Sequence, residues 1–135
     1  MIVTIAWLER YLLIKEEIED LRNRLKAMDG WKSPRLSPNP AHTENHEGLD
    51  PIVIKRDRLH KKYLEKIREG YELMLEIETF IEEVPDPLTR TIIRLKYIDG
   101  LSWREVGDAV GLYYSACYRR VDQAIKNSNK SNKDL

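Results

Sequence analysis

A chain of 135 residues has room for one modest domain, or for a small domain on an extended helical arm, and none for a large catalytic core. Hydrophobic residues make up 41% and charged residues 34%, the balance of a helical protein with long solvated faces rather than of a disordered or membrane-spanning chain. Formal charge is zero but unevenly placed: residues 1–85 hold 14 Lys/Arg against 17 Asp/Glu, and residues 86–135 hold 9 against 6, so only the last third favours a polyanion.

The chain opens on Met1-Ile2-Val3-Thr4-Ile5-Ala6, without a basic leader and with Glu9 and Arg10 soon after. No apolar run approaches the roughly 18 residues needed to cross a bilayer, so a cytoplasmic protein with no membrane contact is expected. From about Thr4 to Met28 the spacing predicts a helix, placed in an N-terminal segment 1–29. Trp7, Ile14, Leu21 and Met28 fall seven apart, as do Tyr11, Ile18 and Leu25, giving one narrow coiled-coil seam flanked by Glu17 and Arg22. Gly30 is read as its stop.

Residues 30–49 carry three prolines and two glycines among small polar side chains and are read as a mobile or extended linker. His42 and His46 stand four apart there, but the surrounding prolines argue against the ordered geometry a metal requires, and neither a metal nor a cofactor is expected. Asp50-Pro51 then restarts the helix as N-cap and first helical residue. Nothing interrupts it before Val84-Pro85, which predicts a central helix within 50–85, about 50 Å long at 1.5 Å per residue. Its seam pairs Ile67, Met74 and Ile81 with Tyr63, Gly70, Ile77 and Val84, while His60 is a polar residue at the seam edge. Two seamed helices imply either an antiparallel hairpin or docking on a second subunit, and a homo-oligomer is expected.

Residues 86–127 are punctuated as a compact trihelical unit. Asp86-Pro87 repeats the cap and start, and Leu88, Ile92, Leu95 and Ile98 form a stripe that ends at Asp99-Gly100. Ser102-Trp103-Arg104-Glu105 is a capping box opening a short second helix with Val106 and Val110 on one face. Gly107 is small where another helix must come close. Gly111 supplies the left-handed turn and Leu112 plugs it. A third helix runs from about Tyr113 to Asn127, with Cys117, Val121 and Ala124 or Ile125 inward. Cys117, the single cysteine, excludes an intrachain disulfide and a Cys-rich zinc site and is read as core packing. The tail 128–135 is polar and expected to be disordered.

Helix, capped short helix, glycine turn and helix make the helix-turn-helix plan, in which the N-terminal half of the last helix enters the major groove of double-stranded DNA. On that plan Tyr114, Ser115, Tyr118 and Arg119 read bases, Arg119 by bidentate pairing with guanine, while Ser102, Arg104, Arg120 and Lys126 hold phosphates. Ser102 also has a complete explanation as a cap. Trp103, Tyr113 and Tyr114 fit core or edge packing better than base stacking. No phosphate-cradling glycine loop, nucleophile elbow or paired acid and base is present, so no enzymatic activity is expected.

The stretch LTRTIIRLKYIDGLSWREVGDAVGLYYSACYRRVDQAI resembles region 4 of sigma-70-type factors, through RxxIxLxYxxGxSxxEV from Arg90, the Gly111-Leu112 turn and an Arg-bearing third helix. The whole chain also looks like small phage or prophage proteins with such an end, some of them related to late-gene activators. Where region 4 usually has Ala this chain has Gly107, Cys117 stands in place of a usual Val, and its reading face holds fewer Lys and Arg. Nothing resembles the promoter-melting region of a complete sigma factor. The resemblance implies an all-α protein, a long helical hairpin or coiled-coil arm followed by a helix-turn-helix, that acts at a promoter by recruiting or redirecting RNA polymerase. A small terminase-like packaging subunit and an adaptor that binds polymerase or sigma without touching DNA are the alternatives.

Overall fold

The computed structural model describes residues 2–32 and 50–133, and these are all-α. The helices are α1 (Ile5–Lys32), α2 (Pro51–Glu83), α3 (Pro87–Ile93), α4 (Trp103–Val110) and α5 (Tyr114–Lys133), with a π-helical turn, Arg94–Ile98, continuing α3. Among the described residues no helix is long and apolar enough to cross a membrane.

The starts of α1 to α4 are each marked by a side chain that accepts an otherwise orphaned amide. Thr4 Oγ1 accepts from Trp7 N at 3.1 Å, and Asp50 Oδ1 from Ile52 N at 3.0 Å. Asp86 Oδ2 accepts from Thr89 N at 3.1 Å. The capping box on α4 is complete, Glu105 N donating to Ser102 Oγ at 3.2 Å and Ser102 N to Glu105 Oε1 at 3.5 Å. Helix ends are less local. α1 runs through Gly30 to Lys32, past its expected stop, because a glycine inside a helix costs only about 1 kcal/mol and need not end it. The remainder of the expected linker, residues 33–49 with His42 and His46, lies outside the described residues.

The chain divides into two compact units, residues 1–14 with 70–135 and residues 15–69. In the first, the C-terminal half of α2 packs into the core through Leu73, Ile77, Phe80, Ile81 and Val84, and the start of α1 contributes Val3, Leu8 and Ile14. A three-helix unit of about 40 residues buries too little alone, and these helix ends complete its core. Trp7 meets Phe80 edge-on at 6.1 Å, and the Asn129 carboxamide clasps Val3, accepting from its N at 2.7 Å and donating to its O at 2.8 Å. That clasp ties down α5 where a disordered tail was expected: the helix continues to Lys133, and residues 134 and 135 lie outside the described ones.

In the second unit, Lys66 bridges Glu17 at 2.9 Å and Glu69 at 3.3 Å. The seam side chains Ile18, Leu21, Leu25, Tyr63 and Ile67 are only half-buried, and none of the described side chains of this unit is fully buried. The exposed ion pairs add little to stability.

Between α2 and α3 the Arg90 guanidinium staples the turn, Nη1 donating to Val84 O at 2.7 Å and Pro85 O at 3.1 Å. The π turn changes the expected apolar face. Asp99 N reaches back five residues to Arg94 O at 2.9 Å, and Leu101 N six residues to Leu95 O at 3.0 Å. In α3 before it Thr89, Ile92 and Ile93 are core and Leu88 is half-buried; in the wider turn itself Tyr97 is core and Leu95 and Ile98 are half-buried. Gly100, at φ +78°, closes it.

The turn between α4 and α5 rests on two glycines for different reasons. Gly111 has φ +74° and open space where a Cβ would stand, so its requirement is conformational. Gly107 is in ordinary helical geometry, but a Cβ there would lie 2.5 Å from the Leu112 carbonyl oxygen and 3.3 Å from Tyr114 N. Gly107→Ala is therefore expected to destabilise by about 2 kcal/mol or more through forced movement of backbone, and Gly111→Ala by about 1 kcal/mol through the left-handed conformation alone. Equilibrium denaturation of both variants checks the order, which the opposite ranking would overturn.

Candidate nucleic-acid interface

Once the turn is fixed, the rotation of α5 is set by Cys117, Val121 and Ile125, buried at four-residue spacing against the rest of the trihelical unit. Cys117 is fully buried, and burial pushes its thiol pKa up, so it packs as an apolar residue and is a poor nucleophile. Leu112, half-buried, closes the turn below Gly111. The opposite side of α5 then presents Ser115, Tyr118 and Arg119 to solvent, and its first turn presents Tyr114.

Tyr113 is 85% exposed and Tyr114 55%, so neither is core packing. The cause lies in the backbone: residues 112–114 press their main chain onto Gly107, which leaves the tyrosine side chains no way but outward. Trp103 is half-buried, as edge packing requires, but it also forms a wall of the site. Its ring meets Tyr97 edge-on at 6.2 Å and Tyr118 at 5.6 Å, and the Lys96 ammonium sits 5.1 Å from its centroid. Tyr97 is buried, which holds its hydroxyl far above the usual phenol range and neutral. The stack therefore runs from the π turn through α4 to α5 and fixes Tyr118 from behind.

Trp103, Tyr114, Ser115, Tyr118 and Arg119 together line a shallow, mainly apolar hollow. All four expected base-reading residues thus share one surface. The expected phosphate contacts are divided. Arg104 is exposed on α4, and Ser102 is engaged as the cap of that helix. Lys126 lies one turn beyond Asp122 and pairs with it at 3.0 Å.

Arg120 differs from expectation. Its Nη1 donates to Asp86 Oδ2 at 2.9 Å, and it lines a separate hollow with Asp86, Thr89 and Phe80. One residue beyond Arg119, a helix turns by about 100°, which carries Arg120 from the outer side of α5 to the side facing α3. It joins α5 to the N-cap of α3 and does not share the surface of Arg119. Its nonlocal partner, 34 residues away, left no signal in the local pattern. The aromatic wall behind Tyr118 was likewise invisible, since Lys96, Trp103 and Tyr118 belong to three different elements.

Asp86 accepts from Thr89 Oγ1 at 2.6 Å as well as from the helix amide and Arg120, and the Thr89 bonds chiefly hold its pKa below the ordinary carboxylate value. A carboxylate with a depressed folded pKa contributes stability that is complete above its unfolded value and is lost as pH falls through the folded one. The stability gap between the natural chain and Asp86→Asn is accordingly expected to be constant at neutral pH and to shrink from about pH 4 downward. Thermal melting of both proteins across that range tests it; a gap that ignores pH would mean the charge plays no part.

Among comparisons with known proteins, the family model described as "Protein of unknown function (DUF1492)" matches residues 48–129. No curated protein and no solved structure matches the chain. The matched stretch runs from just before α2 through the capped turn and across the exposed face of α5, well over half of the chain, and the protein belongs to the DUF1492 family.

Proposed function

We propose that this protein binds double-stranded DNA through the α4–turn–α5 unit and regulates transcription at a promoter, by recruiting or redirecting RNA polymerase. One observation carries the DNA reading: Tyr114, Ser115, Tyr118 and Arg119 converge on one solvent-facing surface at the start of α5, which follows the capped helix α4 across a left-handed glycine turn. A rigid turn that leaves the first two turns of the next helix protruding is what major-groove entry demands. Arg119 brings a bidentate donor to base edges, and Arg104, on the bracing helix, is placed to meet the backbone. The step from DNA binding to a promoter and polymerase rests on the sigma-region-4 resemblance alone.

A second reading, an adaptor that binds polymerase or a sigma factor without touching DNA, is favoured by the apolar hollow and the neutral formal charge. Selection from random duplexes with the full chain, with and without polymerase, separates the two. An enriched motif in both arms supports a DNA reader; enrichment only with polymerase present, or none, supports the adaptor. On the selected duplex Arg119→Ala is expected to cost about 1–3 kcal/mol. Arg104→Ala should weaken all duplexes alike and flatten the logarithmic salt dependence by about one unit. An Arg119→Ala protein with unchanged affinity for its best site would remove Arg119 from the reading face.

A further inference from the structure

The reading surface is unusual for a DNA-binding helix in being built of rings. Tyr114 and Tyr118 are 55% and 46% exposed, and with Trp103 they wall the hollow that Arg119 borders. Tyr118 is not free to swing away, because its ring is held edge-on against Trp103 at 5.6 Å, with Tyr97 edge-on to Trp103 at 6.2 Å. No carboxylate lines the hollow, and the one charged residue that does is a cation, Arg119. An apolar, ring-walled recess beside positive charge suits an apolar group carried on a polyanion better than an apolar side chain of a protein surface.

In the major groove the apolar group that a base edge offers is the C5-methyl of thymine; the other edges there present hydrogen-bond donors and acceptors. We infer that the hollow formed by Trp103, Tyr114 and Tyr118 receives a thymine methyl, making these rings specificity-determining residues for a T-containing step next to the base or phosphate held by Arg119. The inference rests on the DNA reading proposed above. All three rings wall the recess, and Trp103 also packs edge-on against the Tyr118 ring.

The test replaces each thymine of the selected duplex, one at a time, with deoxyuridine, which removes a methyl group and keeps every hydrogen-bonding edge. At one or two adjacent positions the full chain is expected to lose about fourfold in affinity, the size of one buried methyl or methylene group. Tyr114→Ala and Tyr118→Ala should each bind the thymine and uracil duplexes more nearly alike. Tyr118→Phe, which keeps the ring, should retain the discrimination whatever it does to overall affinity, and Trp103→Leu, which removes one wall of the recess, should reduce it. A duplex bound with equal affinity in every thymine and uracil form would overturn the methyl assignment and leave the DNA reading intact. So would discrimination that persists undiminished in both alanine variants. Failure to bind any duplex, with or without polymerase, would instead overturn the DNA reading, and the inference with it.

Discussion

The placement of α5 depends on the approach of the Leu112 carbonyl to the bare α-carbon of Gly107, where a Cβ would stand 2.5 Å from that oxygen. That approach sets where α5 begins relative to α4, and the exposure of the following side chains follows from it. With its main chain against Gly107, the 112–114 segment must turn Tyr113 and Tyr114 outward. The same Gly107 carbonyl accepts from Leu112 N at 3.0 Å, so the turn is held by a hydrogen bond as well as by contact. Cys117, Val121 and Ile125 then fix the rotation of α5, and Asn129 anchors its far half on Val3. Origin, rotation and far end are each determined by a separate interaction.

The residues that carry the sequence resemblance turn out to be those that hold this frame. Arg90 staples the α2–α3 turn, Ile93, Tyr97 and Val106 are core, Gly100 takes a left-handed φ, and Ser102 with Glu105 caps α4. Of the features that carry the resemblance, the named residues of the Arg90–Val106 motif do not line the hollow at the start of α5, whereas Arg119 of the Arg-bearing third helix does. A motif of this kind can specify a scaffold and be silent about what the scaffold reads. Fold and function are separable in this way, so the scaffold by itself does not say what the surface at the start of α5 contacts.

What could be read from the chain beforehand was what depends on near neighbours. The caps at Asp50, Asp86 and Ser102 and the left-handed Gly111 each need only a few consecutive residues, and all four stand as expected. Interactions across long separations were not legible. Val3 and Asn129 are 126 residues apart, and a polar C-terminal stretch gave no sign that one of its amides would pair with the main chain near the opposite end. Leu8, Leu73 and Phe80 are buried but lie outside the sevenfold series, because burial here follows packing onto a globular unit and not a two-helix seam. In the π turn that follows α3 the buried residue is Tyr97, where Leu95 was expected.

Charge placement bears on what sort of reader such a surface can be. Arg94 is tied to Glu78 at 3.2 Å, Arg120 to Asp86 at 2.9 Å and Lys126 to Asp122 at 3.0 Å, while Arg90 donates to backbone carbonyls. The modest positive excess of the last third is therefore partly spent within the protein. A DNA reader of this composition has few cations to release counterions with, so its affinity must be weakly salt-dependent and correspondingly low on arbitrary sequence. Discrimination then has to come from the base edges, where ring contacts and a single bidentate guanidinium are short-ranged and indifferent to ionic strength.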